Sequence, residues 1–79
     1  MKGATYIISK IEITEARHAI DGKRHTHKYF LYPVPENLKE MGFVANWSYK
    51  NGRRGALKFS NKRQAQAVAK RFGATVEEI

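Results

Sequence analysis

At 79 residues, with no cysteine, 42% hydrophobic content and a formal net charge of +8, the chain reads as one small basic domain spanning residues 1–79. A chain this short buries roughly 60% of its unfolded surface, so its core is small, yet its apolar content is too high for a disordered segment. Disulfide scaffolds, cysteine zinc sites and thiol chemistry are excluded. The apolar run at Tyr6-Ile7-Ile8 is too short for a secretory signal and is broken by Lys10 and Glu12, and no stretch reaches membrane-spanning length. The expectation is a cytoplasmic protein with no membrane partner.

In chain order, residues 5–13 read as a strand. Thr5, Ile7, Ser9, Ile11 and Ile13 alternate with Tyr6, Ile8, Lys10 and Glu12, and β-branched isoleucines suit a half-buried strand. Residues 17–26 form a polar connection around the turn signal Asp21-Gly22. A second strand covers 27–34, with Tyr29 and Leu31 on one face and Phe30 and Tyr32 on the other. Pro33 and Pro35 end it, which suggests a strand at a sheet edge. Glu36 to Met41 suits one helical turn before Gly42.

The organising stretch is 43–72. Asn51-Gly52 between two strand-like runs signals a type I′ hairpin, giving strands at about 43–50 and 53–59. Counting outward from that turn sets Trp47 opposite Ala56 and Ala45 opposite Lys58. A helix follows. Ser60 or Asn61 is its N-cap, and Asn61 with Gln64 resembles a capping box. Ala65, Val68, Ala69 and Phe72 form one apolar stripe, Lys70 and Arg71 complement the last turn, and Gly73 is the C′ residue. Residues 74–79 make a last short strand or a tail. The fold class is α+β: an antiparallel sheet of about four strands with one C-terminal helix packed on one face, in the order β-β-β-β-α with a possible final strand.

The charge is not spread evenly. Residues 50–71 hold eight bases (Lys50, Arg53, Arg54, Lys58, Lys62, Arg63, Lys70 and Arg71) and no acid, leaving 15 − 8 = 7 bases against 7 acids elsewhere. Clustered cations point to a polyanion, DNA or RNA, with an acidic protein face as the other candidate partner. Tyr49, Lys50, Arg53, Arg54, Lys58, Lys62, Arg63 and Lys70 are the candidate nucleic-acid-binding residues. Aromatic rings stack on bases, and cations reach phosphates. Trp47 reads instead as a core residue against the helix alanines, with Arg54 and Lys58 snorkelling at its rim. The sequence Gly52-Arg53-Arg54-Gly55 is similar to the backbone-gripping loop of KH domains. There the loop joins two helices and here it leads into a strand, so only the close backbone approach allowed by glycine carries over.

His25 and His27, at i and i+2 with His18 upstream, share a face in the manner of metal ligands. No third ligand accompanies them, and Lys23, Arg24 and Lys28 surround them, so solvated loop histidines are expected and no metal or other cofactor. There is no nucleophile motif, phosphate loop or spaced carboxylate pair, so no enzymatic activity is expected.

Tyr49-Lys50-Asn51-Gly52, Leu57-Lys58-Phe59, Lys62, Ala65, Val68-Ala69 and Gly73 together resemble the hairpin-plus-helix half of many small phage- or prophage-encoded proteins of unknown function. The resemblance covers less than half the chain and implies an accessory role in a mobile element. The functional expectation is a non-enzymatic nucleic-acid-binding module. The alternative is a phage-type accessory or inhibitor protein that binds an acidic surface or nucleic-acid channel of a host protein.

Overall fold

The structure, a computed structural model, describes residues 3–79. The chain is α+β. Strand β1 spans Tyr6–Thr14, β2 His25–Tyr32, helix α1 Glu36–Glu40, β3 Asn46–Ser48, helix α2 Lys62–Phe72 and β4 Thr75–Glu78. A 3-10 turn at Ala16–His18 lies in the β1–β2 connection, and a second covers Gly52–Gly55. The four strands form one antiparallel sheet in the order β3-β2-β1-β4.

The isoleucine alternation makes β1 a central strand, and α2 forms where its stripe requires. Asn61 is the N-cap, and its side-chain oxygen accepts the Gln64 N–H at 3.1 Å. Gly73 closes the helix in the left-handed region at φ +65°, and Ala74 N–H donates to the Ala69 carbonyl at 2.8 Å. Asn61→Ala is expected to lower stability by about 1 kcal/mol, measurable as a reduced urea midpoint with an unchanged slope.

Both faces of the sheet are covered, but only at one end. On one face Ile8, Leu31 and Ala69 form a buried cluster extended by Trp47, Phe59, Val68, Phe72 and Val76, so α2 covers this side. On the other face Ile7 packs with Phe30, Tyr32 and Ala56, so the segment after the second 3-10 turn acts as the lid. This explains why Ile7 and Ile8, neighbours on opposite faces, are both fully buried. Beyond Ser9 neither cover continues. Residues 10–14 and 25–29 extend as a two-stranded ribbon, with Ile11 and Ile13 exposed.

The expected hairpin at 43–50 and 53–59 does not form. Strand β3 is three residues long and pairs with β2, placing Leu31 opposite Trp47. Asn51 has φ −113°, ψ 15°, so it lacks the positive φ that a type I′ turn needs, and only Gly52 (φ +55°) adopts one. Two interactions outcompete the local hairpin. The Tyr32 hydroxyl accepts the Asn51 N–H at 2.8 Å and donates to the Gly52 carbonyl at 2.8 Å, binding the tip to β2. Further on, Leu57 N–H donates to the Leu31 carbonyl (2.8 Å), and Phe59 exchanges two bonds with Tyr6 (2.8 and 2.9 Å). The 57–59 segment therefore bonds to β2 and β1 where their own pairing stops at Ser9↔Phe30.

The fourth strand is supplied by Thr75–Glu78 and not by 53–59. Strand β2 lies inside the sheet rather than at its edge; it stops at Tyr32, ahead of the prolines. Trp47 and Ala56, expected as cross-strand neighbours, belong to clusters on opposite faces. Trp47 itself packs as a core residue, edge-on to Phe72 at 5.9 Å between ring centroids.

Candidate nucleic-acid interface

Six of the eight candidate residues fall into two groups separated by the sheet. Arg53, Arg54 and Lys58 lie in or just after the Gly52–Gly55 turn, on the side that Ala56 covers. Lys62, Arg63 and Lys70 lie on α2, on the other side. The cationic stretch 50–71 is continuous in sequence but wraps around both faces.

Two of the first group are engaged internally. Arg53 donates to Glu77 Oε1 at 3.1 Å, and its guanidinium lies 6.0 Å from the Phe30 ring centroid. Lys58 Nζ donates to the carbonyls of Arg53 (2.9 Å), Arg54 (3.2 Å) and Ala56 (2.7 Å), satisfying the end of the 3-10 turn. Arg54 and Lys50 are exposed and have no acidic partner among the described residues.

The α2 side is different. Lys62, Arg63 and Lys70 are exposed and have no acidic partner among the described residues. They are not pulled inward because the helix stripe is small and apolar, with Ala65 and Ala69 buried. On the same side, Tyr49 follows β3 with 66% of its surface exposed, and its ring meets Tyr29 edge-on at 5.5 Å. The strip continues through His27 (6.3 Å from Tyr29) to His25 (6.2 Å from His27). Lys10 also joins this side, its ammonium 4.5 Å from the Trp47 ring centroid and 3.2 Å from Glu12.

Tyr29 and Lys10 were not among the residues expected at the site. The signal was present: His25, His27 and Tyr29 alternate on one strand, so their side chains share a face. What the sequence lacked was the register that puts Lys10 opposite Tyr29 and draws Tyr49 to the same ring.

Among the described residues no group of three His, Asp or Glu side chains converges. His25 instead pairs with Asp21, Nε2 lying 2.9 and 2.8 Å from the two carboxylate oxygens. That contact, with the Lys23 backbone N–H at 3.0 Å, holds the Asp21 carboxyl below its ordinary pKa and ties the turn to the start of β2.

No known protein family matches this chain, and no curated protein or solved structure is significantly similar to it.

Proposed function

We propose that this chain is a non-enzymatic nucleic-acid-binding module whose contact surface is the α2 side of the sheet. One observation carries the reading. Lys62, Arg63 and Lys70, which have no acidic partner among the described residues, share a side with an aromatic strip headed by the exposed Tyr49, whereas Arg53 and Lys58 are engaged within the fold. Cations that owe nothing to internal acids are free to displace counterions from phosphates. Aromatic rings on the same side, Tyr49 foremost, offer stacking surfaces that suit unpaired bases, which favours a single strand over a duplex. Lys50 and Arg54 extend the positive field around the edge and serve as secondary phosphate contacts.

The test is a fluorescence-anisotropy titration with a short labelled single strand across a salt series. Log affinity is expected to fall linearly with log salt. Reversing Lys62, Arg63 and Lys70 to Glu should reduce the slope by about 2, at roughly 0.7 per lost single-strand phosphate contact. Tyr49→Ala should weaken binding by about 1–3 kcal/mol with the slope unchanged, because stacking releases no counterions. Replacing Arg53 and Lys58 should leave the slope as it is. A triple reversal that binds like the parent protein would remove the basis of this reading.

A further inference from the structure

The pairing of β1 stops short on its outer side. Strand β4 covers Tyr6 to Ser9, ending at the pair Ser9↔Thr75, whereas β1 continues to Thr14. The direction of the backbone groups beyond Ser9 follows from the bonds below it. Ile79 N–H donates to the Thr5 carbonyl, so Thr5 and the alternate residues Ile7, Ser9, Ile11 and Ile13 direct their backbone groups toward the β4 side. Tyr6 exchanges its two bonds with Phe59 on the opposite side. Ile11 and Ile13 therefore present N–H and C=O groups to an open edge, with no backbone partner among the described residues.

This edge is also apolar. Ile11 is 61% and Ile13 47% exposed, on the face away from α2. Exposed edges are normally blunted by charge, proline or a cover. Here the edge strand carries only Lys10 and Glu12, which already neutralise each other at 3.2 Å. The step where β4 ends adjoins a hollow lined by Ser9, Ile11, Ala74 and Thr75 together with the Lys28 and Glu77 ion pair, and among the described residues no strand continues β4 past Thr75.

We propose that this edge pairs with the same edge of a second copy of the chain, joining two four-stranded sheets into one. The stretch Lys10-Ile11-Glu12-Ile13-Thr14 is suited to itself. In an antiparallel pairing about Glu12, Ile11 of each copy faces Ile13 of the other, and Lys10 faces Thr14. The outward backbone groups of Ile11 and Ile13 then meet as hydrogen-bonded pairs, and four isoleucines close over one another on a single face. Each Lys10 lies diagonal to the other copy's Glu12, which offsets the contact of the two central carboxylates. The ladder ends at Lys10 because Thr75 occupies Ser9 next along, so the five free residues match the five that the pairing uses. A two-fold axis normal to the sheet also leaves both α2 helices on one side, but pairing does not depend on what those helices bind.

The experiment is sedimentation of nuclease-treated protein over a wide concentration range in high salt, where polyanion bridging is suppressed. A species of twice the 9.1 kDa monomer mass is expected to grow with concentration. The double variant Ile11→Thr/Ile13→Thr keeps strand propensity and should weaken association by about tenfold or more. Ile13→Lys, which places a charge at the junction, should remain monomeric with an unchanged near-ultraviolet spectrum of Trp47. Amide exchange gives an independent readout, since the Ile11 and Ile13 amides should be unprotected in dilute solution and protected at high concentration. Protein that stays monomeric throughout, variants that associate as well as the parent, or concentration-independent exchange at those two amides would each overturn the proposal.

Discussion

Glu77→Gln is expected to cost about 2–3 kcal/mol at neutral pH and to remove a segment of the protein's acid sensitivity. Glu77 sits on β4 with its side chain 21% exposed, between two cations. Arg53 reaches Oε1 at 3.1 Å, and the Lys28 ammonium approaches the buried Oε2 at 2.9 Å as a charge contact and not an aligned hydrogen bond. The Ser9 hydroxyl, followed by Lys28 and Arg53, outweighs desolvation and brings the carboxyl pKa from an ordinary 4.5 to about 2.

The sign follows from linkage. The unfolded chain takes up this proton near 4.5 and the native chain near 2, so between those values acid favours unfolding. The contribution is complete above about pH 5, declines by at most about 1.4 kcal/mol per pH unit, and is gone below about pH 2. The figure of 2–3 kcal/mol is about what the shift implies after allowing for solvent screening, since the Lys28 and Arg53 side chains are 42% and 58% exposed. Urea midpoints from pH 7 to pH 2 check it. The variant should start lower and fall less steeply, and parallel curves would show that Glu77 has no such role.

The second large effect is expected where the basic tip meets β2. A Cβ on Gly55 would lie 2.7 Å from both Cε2 and Cζ of Tyr32 and 2.9 Å from its hydroxyl. The ring cannot retreat. It is buried against Ile7, Phe30 and Ala56, and its hydroxyl is fixed by Asn51 and Gly52. Gly55→Ala should therefore cost about 1–3 kcal/mol, the usual range for overpacking. Tyr32→Phe should cost a similar amount for another reason: it leaves the Asn51 N–H and Gly52 C=O without their partner, at about 1–3 kcal/mol. In the double variant the ring, no longer tethered, can tilt away from the new methyl. The combined loss should therefore be smaller than the sum of the two, a coupling that a double-mutant cycle measures. Strict additivity would mean that the hydroxyl does not hold the ring in place. The same contacts bear on the tip's other role, because Tyr32 decides that Lys50 and Arg54 are carried on a turn pinned to the sheet rather than on a free hairpin.

The parts of this fold legible in the residues are those set by short-range physics. The bounds of α2 follow from Asn61, the alanine-rich stripe and Gly73, all within one helix length, and each occupies its expected place. The β1 alternation is equally local. The tip failed the same reasoning because the Asn51-Gly52 hairpin signal, though strong, is purely local, and the groups that override it, Tyr32, Leu31 and Tyr6, lie far back in the chain. Composition revealed how many cations there are and where they cluster along the chain. It did not reveal which are free, because that depends on Glu77 arriving between Lys28 and Arg53, and on carbonyls turning toward Lys58. Nor did it reveal the open edge at Ile11 and Ile13, which exists because β4 is shorter than the strand it pairs with. Local pattern specifies elements at separations of a few residues. Register, cover and charge pairing are long-range, and they emerge only when the folded chain brings distant groups within bonding distance.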